Sequence, residues 1–508
     1  MKARSLAGWA VVLAAVLATA GCGGSGDKAA EKARVRWAFM LPTSWDPVTS
    51  RTGADINTVS LAYASLTRLD KDGDVQPALA QSWAYSPDGR TLTFQLRDKL
   101  KFTDGTPLDA AAVKAFFERG KTQKDSFLRP EIESIASFDT DGPLRVVFHL
   151  SRLDYQLPYV MAGRVGAIAS PTAAAKDKAK LALWPIGAGP FKMVEFVPES
   201  HAYFVKNPDY WDAANIHVER LELTTLSEPT TTIASLVSGA IDVASIGPKR
   251  VEEARARKLT VTTAPSLNAS DLMINRNKPP FDDPRVAEAV RYAIDRGELV
   301  KTLTAGLGTP TNQPFPPHYF AFDPQTRDKW AYDPARAKAL LAQAGHAPGS
   351  LTVEIVINPL INEGLPELLQ AQLGRVGIKS RLRIVPPGSS SWQSEVYIAK
   401  RPATAVDGTV GRESPVQNLL AVYGPQGIMN LSGPYAPPAF LKAIDEVRAT
   451  PIDAPQYKER LQRATRLGAE QSPSVWLFST PFIVATRSRV KHLNIVPSQI
   501  RWEGVTVE

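Results

Sequence analysis

The chain has 508 residues, 44% hydrophobic and 22% charged, with a formal net charge of +8. These are ordinary globular proportions, and the length suits two or three lobes. Lysine and arginine are dispersed among 51 acidic residues with no basic run of five, which argues against a nucleic-acid-binding face, and one cysteine excludes a disulfide framework.

The chain opens with Lys2 and Arg4, then an apolar run over 6–18, then Thr19-Ala20-Gly21 and the single Cys22. The run is too short to span a bilayer of about 30 Å, and small residues follow it, so 1–21 reads as a cleaved secretory signal. Ala20-Gly21-Cys22 resembles the lipobox of bacterial lipoproteins, with Thr19 where leucine is usual. That resemblance implies acylation of Cys22 and a tether over 22–33, "CGGSGDKAAEKA"; a stray cysteine behind an ordinary signal is the alternative. No later segment has 18 continuous apolar residues.

"VRWAFMLPTSWDP" predicts a strand running into a turn. In "SWAYSPDGRTLTFQL", a turn at SPDG precedes Leu92, Phe94 and Leu96 in strand alternation. Asp109 is placed to cap a helix whose stripe is Ala112, Val113, Phe116 and Phe117. Gly187 and Gly189 mark a crossover, and the segments flanking "VPES" read as paired strands. "VERLELTTL" and "IDVASI" read as strands around a helix with Ile233, Leu236 and Val237. Two helices follow, begun by Asp283-Pro284 and by Pro334, the second ended by Gly345. "LTVEIVI", "LPELLQAQLGRVG" and "KSRLRIV" then make a strand, helix, strand unit, so the fold class is α/β.

An exported hydrolase is the natural rival, and the sequence lacks its usual signatures. There is no G-x-S-x-G and no H-E-x-x-H, and the six histidines lack metal-ligand spacing. Ser25-Gly26-Asp27-Lys28 matches S-x-x-K only within the tether, and Gly120-Lys121-Thr122 follows a helix with Ala115 where a phosphate loop needs glycine. Asp282-Asp283 is explained by capping. No catalytic residue, metal site or cofactor is expected.

The blocks "PALAQSWAYSPDGRTLTFQLRDKLKFTDGTPLDAAAVK", "GAGPFKMVEFVPESHAYFVKNPDYWD", "LMINRNKPPFDDPRVAEAVRYAIDR" and "GLGTPTNQPFPP" resemble, in order, the signatures of the family 5 extracellular solute-binding proteins of bacterial ABC importers. The resemblance runs from about residue 35 to the C-terminus. It implies a periplasmic-binding-protein-like clamp: lobe I from 34–60, 186–270 and 479–508, lobe II from 61–185, and lobe III from 271–478. Ligand contacting both large lobes would favour the closed state, which a membrane permease then reads. The implied partners are a peptide or small polar solute, the permease subunits and, through the lipid, the membrane, with the protein a monomer outside the cytoplasm.

In peptide-binding members an aspartate of lobe III holds the ligand's α-amine. The corresponding segment here is "VDGTVGRESP", with Gly411 at that position when Pro415 is aligned. Asp407 could substitute, whereas Arg412 would suit a carboxylate or other anion; alternatively Arg412 pairs with Glu413 or Asp407. Trp392, Tyr435 and Trp45 are aromatic candidates for the cleft, or ordinary core. A non-peptide anionic solute and a sensing receptor without transport stay open as alternatives.

Overall fold

The computed structural model describes residues 33–52, 55–225, 231–358, 364–385, 389–497 and 499–508, so the expected signal over 1–21, Cys22 and the expected tether up to residue 32 lie outside the described residues. Three sheets organise the chain.

The first sheet has seven strands, in the order Thr260–Ala264, Phe482–Thr486, Val243–Ser245, Arg34–Ala38, Arg220–Thr224, His201–Lys206, Phe191–Val197. Arg34–Ala38 runs parallel to both its neighbours, and the pairings beyond them are antiparallel. Alternation explains the layering. Val35, Trp37, Leu221 and Leu223 enter the largest core, while Ala38 and Ala244 face Ile233, Leu236 and Ala254 from helices on the other side.

The second sheet is antiparallel, in the order Ala80–Tyr85, Thr91–Leu96, Arg145–Leu150, Ile135–Thr140. Leu92, Phe94 and Leu96 are buried as their spacing predicts. Helix Ala110–Thr122 covers this face with Val113, Phe116 and Phe117, and Asp109 accepts from the Ala112 N–H at 2.9 Å. The Phe117 ring lies 5.0 Å from Phe148 and 5.4 Å from Phe138, so one aromatic cluster binds helix to sheet. Lys121, in the last turn, donates to the carbonyls of Ile135 and Ala136, and the Gly120-Lys121-Thr122 sequence forms no loop.

The third sheet is mixed, in the order Thr309–Pro310, Val475–Ser479, Ala269–Ile274, Thr404–Thr409, Leu351–Ile357, Ile378–Ile384. Leu351–Ile357, helix Leu365–Arg375 and Ile378–Ile384 form the parallel crossover unit expected from sequence. Leu272, Ile274, Val353, Ile355 and Val406 face helix Pro284–Ala293, and Met273, Val356 and Ala405 face the helices Pro415–Tyr423, Pro438–Arg448 and Tyr457–Gln471. Gly345 has φ +84°, the left-handed conformation predicted for the end of helix Pro334–Gln343.

The sheets are joined by paired crossings. Between the seven- and six-stranded sheets the chain passes twice, at 265–268 and 480–481, where Ser266 Oγ donates to the Thr480 carbonyl at 2.6 Å. Toward the four-stranded sheet, Gly189 N–H donates to the Ala62 carbonyl at 2.9 Å. A Cβ on Gly189 would stand 2.4 Å from the Tyr63 nitrogen, so the two segments touch backbone to backbone. Among the described residues no helix is long and apolar enough to cross a membrane, and no three His, Cys, Asp or Glu side chains cluster as metal ligands.

Candidate binding cleft

Strand Thr404–Thr409 ends at the meeting point of the three sheets, and its continuation builds the site. Gly411 has φ +79°, and a Cβ there would lie 2.2 Å from Leu267 Cβ, so only glycine lets this turn press against the crossing. The turn delivers Arg412 and Glu413. Ser414 then caps helix Pro415–Tyr423 through the Gln417 N–H.

Two small adjoining cavities share Ile56, Leu69, Glu413, Pro497 and Gln499 as walls. Their lining comes from all three sheet units: 56–60, Val496, Pro497 and 499–503 from the seven-stranded unit, 63–78 and Ala162 from the four-stranded one, and 410–413 from the six-stranded one.

Glu413 is half-buried and borders both cavities. Its carboxylate rests on the backbone of Gly163, where an added Cβ would meet Oε2 at 2.3 Å. Burial raises its pKa and the Glu131 charge adds to that, while a hydrogen bond from its own backbone N–H and the charges of Arg412 and Arg164 oppose it. Arg412 borders the smaller cavity, but its guanidinium is engaged: Nη1 lies 3.1 Å from Glu131 Oε1. The expected pairing with Glu413 or Asp407 is therefore corrected. Glu131 is 281 positions away in sequence, and no local signal pointed to it.

The larger cavity has a charged wall. Glu503 accepts from Arg501 at 2.8 Å and from Tyr210 at 2.7 Å. Burial works to raise its pKa, but the Arg501 charge and these hydrogen bonds outweigh that and hold it at about 2. Arg68, also on this wall, lies 5.0 Å from the Trp211 ring centre and within ion-pair reach of Asp212 and Glu503. These charges are satisfied by one another. Among the described residues no other side chain makes a comparable hydrogen bond to Glu413, whose carboxylate is stabilised chiefly by its own backbone N–H.

Asp407 and Trp392 lie together, one layer inside. Asp407 is buried on its strand directly opposite Asp271, and its Oδ2 accepts from Tyr397 OH at 2.6 Å. Trp392 packs edge-on against Tyr397 at 6.3 Å. Burial pushes the Asp407 pKa up to about 6, and burial together with the Asp407 charge pushes Asp271 well above the carboxylate range. Trp45 is core, 5.6 Å from Phe204 and 6.1 Å from Phe196. Tyr435 is half-buried beneath Arg276, whose guanidinium carbon lies 3.8 Å from the ring centre. Of the expected residues, then, Arg412 and Glu413 meet at the cleft, and Asp407, Trp392, Trp45 and Tyr435 line neither cavity. Ile56, Gln499 and Glu131 went unread because their roles arise from contacts across the three units.

The family model for the bacterial extracellular solute-binding proteins, family 5 middle, matches residues 74–429. The glutathione-binding protein GsiB of Salmonella paratyphi A is 30% identical over 357 residues, covering 70% of this chain and 69% of that protein. Among solved structures, the ABC transporter-associated periplasmic binding protein DppA from Helicobacter pylori, in complex with the peptide STSA, superposes with a TM-score of 0.85 at 22% identity over 94% of this chain and 98% of that one. The binding protein AgaA of A. tumefaciens R10, in complex with agropinic acid, gives 0.83 at 24% identity over 94% and 99%. The fold and the matched sequence agree: this chain belongs to the family 5 bacterial extracellular solute-binding proteins.

Proposed function

We propose that this protein is the extracytoplasmic receptor of an ABC importer, held at the membrane by lipid on Cys22, and that it encloses a peptide-like solute bearing a free ammonium group. The observation that carries the ligand class is the cleft carboxylate of Glu413, set against Gly163 while the neighbouring arginines are occupied by Glu131. A half-buried carboxylate favours a cationic partner, and a charge-assisted hydrogen bond is about twice as strong as a neutral one. Glu413 thereby does the work expected of the aspartate that Gly411 replaces. Glutathione, named for the 30%-identical relative, and the peptide STSA both have such an ammonium end.

In this reading the seven-, four- and six-stranded units are lobes I, II and III, with the spans expected from sequence, and the crossings at 265–268 and 480–481 are the hinge. Ligand touching 56–60 and 410–413 together stabilises closure by its difference in affinity for the two states. Charge matching of Arg412 by Glu131 disfavours the anionic-solute alternative.

Calorimetric titration of residues 27–508 with glutathione and short peptides, each beside its N-acetylated form, tests this. The expected result is loss of about tenfold or more in affinity on N-acetylation, with the same loss for Glu413→Gln. Equal affinity of both forms for the unaltered protein would remove Glu413 from this role. Turnover of the bound solute would favour the hydrolase alternative. Acyl chains on the N-terminal peptide of the membrane fraction, absent in Cys22→Ser, are the corresponding expectation for the anchor.

A further inference from the structure

We propose that Glu131 is a positioning residue that latches the four-stranded unit to the six-stranded unit and keeps Arg412 away from Glu413, so that the cleft presents a bare carboxylate only when the two units meet. The proposal rests on the reading of Glu413 just given. Glu131 stands on the single-turn helix Arg129–Ile132 of the four-stranded unit. Its Oε1 takes Arg164 at 2.9 Å and Arg412 at 3.1 Å, and its Oε2 takes Gln417 at 3.1 Å. Arg164 also donates to the Ser50 carbonyl, which fixes the carboxylate from its own side. Arg412 and Gln417 flank the segment that carries Glu413, so one side chain holds both ends of it.

The geometry has two consequences. First, two of the three contacts, to Arg412 and Gln417, connect the four-stranded unit to the six-stranded one, at an edge where Tyr457 OH also donates to Gln156 at 3.0 Å and Tyr155 N–H to the Arg448 carbonyl at 2.8 Å. Separating the units breaks these cross-unit contacts together and leaves Glu131 with Arg164. Second, Arg412 adjoins Glu413 in the chain and its charge already acts on that carboxylate, so a guanidinium freed from Glu131 is placed to turn toward it. It would then compete with the ammonium group of the solute. Closure thus exposes the anchor as well as enclosing it. The side chains of Arg412 and Glu131 are 18% and 16% exposed, so the pair is screened less than a surface ion pair.

The test uses residues 27–508, which contain no native cysteine, with one engineered cysteine on each unit labelled for distance measurement. Without ligand, Glu131→Gln and Arg412→Gln should each lower the closed-to-open ratio by roughly three- to tenfold, and the double variant should lower it no further than either single one. Glu131→Gln should also weaken amine-bearing ligand more than Arg412→Gln, because only the former leaves Arg412 free to cover Glu413. If Glu131→Gln proves unstable, the half-buried Arg412→Gln carries the closure measurement. Unchanged closure in either variant, or additive losses in the double, overturns the latch; equal ligand weakening by the two variants overturns the shielding of Glu413. Because the closure ratio needs no ligand, failure of the proposed ligand class is distinguishable: the latch variants would still open a protein that binds no amine-bearing solute.

Discussion

Among single residues, the carboxyl pair of Asp407 and Asp271 has the clearest physical signature. Both side chains are buried at register-opposed positions, and both pKa values are raised, Asp407 to about 6. Below about pH 3 native and unfolded chains hold these protons alike. As pH rises toward 6 the unfolded chain releases protons that the native one keeps, so stability falls with rising pH through this window. Asp407→Asn, which can still accept from Tyr397, removes that loss. Its advantage over the unaltered protein in urea unfolding should grow from near zero at about pH 3 to the order of 3 kcal/mol by pH 8. Parallel pH profiles for the two proteins would show that Asp407 is not held protonated. At this scale the sequence was partly legible. Arg412 and Glu413 were found because a glycine stands where an anchor was expected, but Asp407 was drawn to the cleft by its charge alone. Its burial comes from a neighbouring strand 136 positions away, and nothing local encodes that pairing.

At the scale of elements, the alternation of Leu92, Phe94 and Leu96 and the caps at Asp109 and Gly345 were read correctly because each depends on a few adjacent residues. Strand Thr404–Thr409 was not read as a strand. It lies in the middle of its sheet, is buried along nearly its whole length, and carries Asp407 and Gly408, so neither alternation nor an apolar run marks it. Glycines give a paired prediction. Gly189→Ala puts a methyl against the Ala62–Tyr63 backbone and should cost about 1–3 kcal/mol in chemical denaturation. Gly374→Ala, exposed within helix Leu365–Arg375 with nothing inside 4 Å, should add about 0.5–1 kcal/mol. Equal effects of the two substitutions would contradict the close crossing at Gly189.

For the whole molecule, the paired crossings bring all three sheet units to one cleft. The first and second sheets contribute to one continuous core, whereas the six-stranded sheet has its own cores on both faces. The chain links the first sheet to the third at 265–268 and 480–481, where Ser266 bonds the Thr480 carbonyl. Ordered sequence blocks conveyed this architecture through resemblance, while the contact of Glu131 with Arg412 depends on how the finished units meet. The central claim is capture of an amine-bearing, peptide-like solute without chemical change. It is tested most directly by expressing residues 27–508, unfolding the purified protein to release what it carried, and identifying that solute by mass spectrometry. The account predicts short peptides or a peptide-like compound with a free ammonium group. A single anionic compound lacking any cationic group would contradict it.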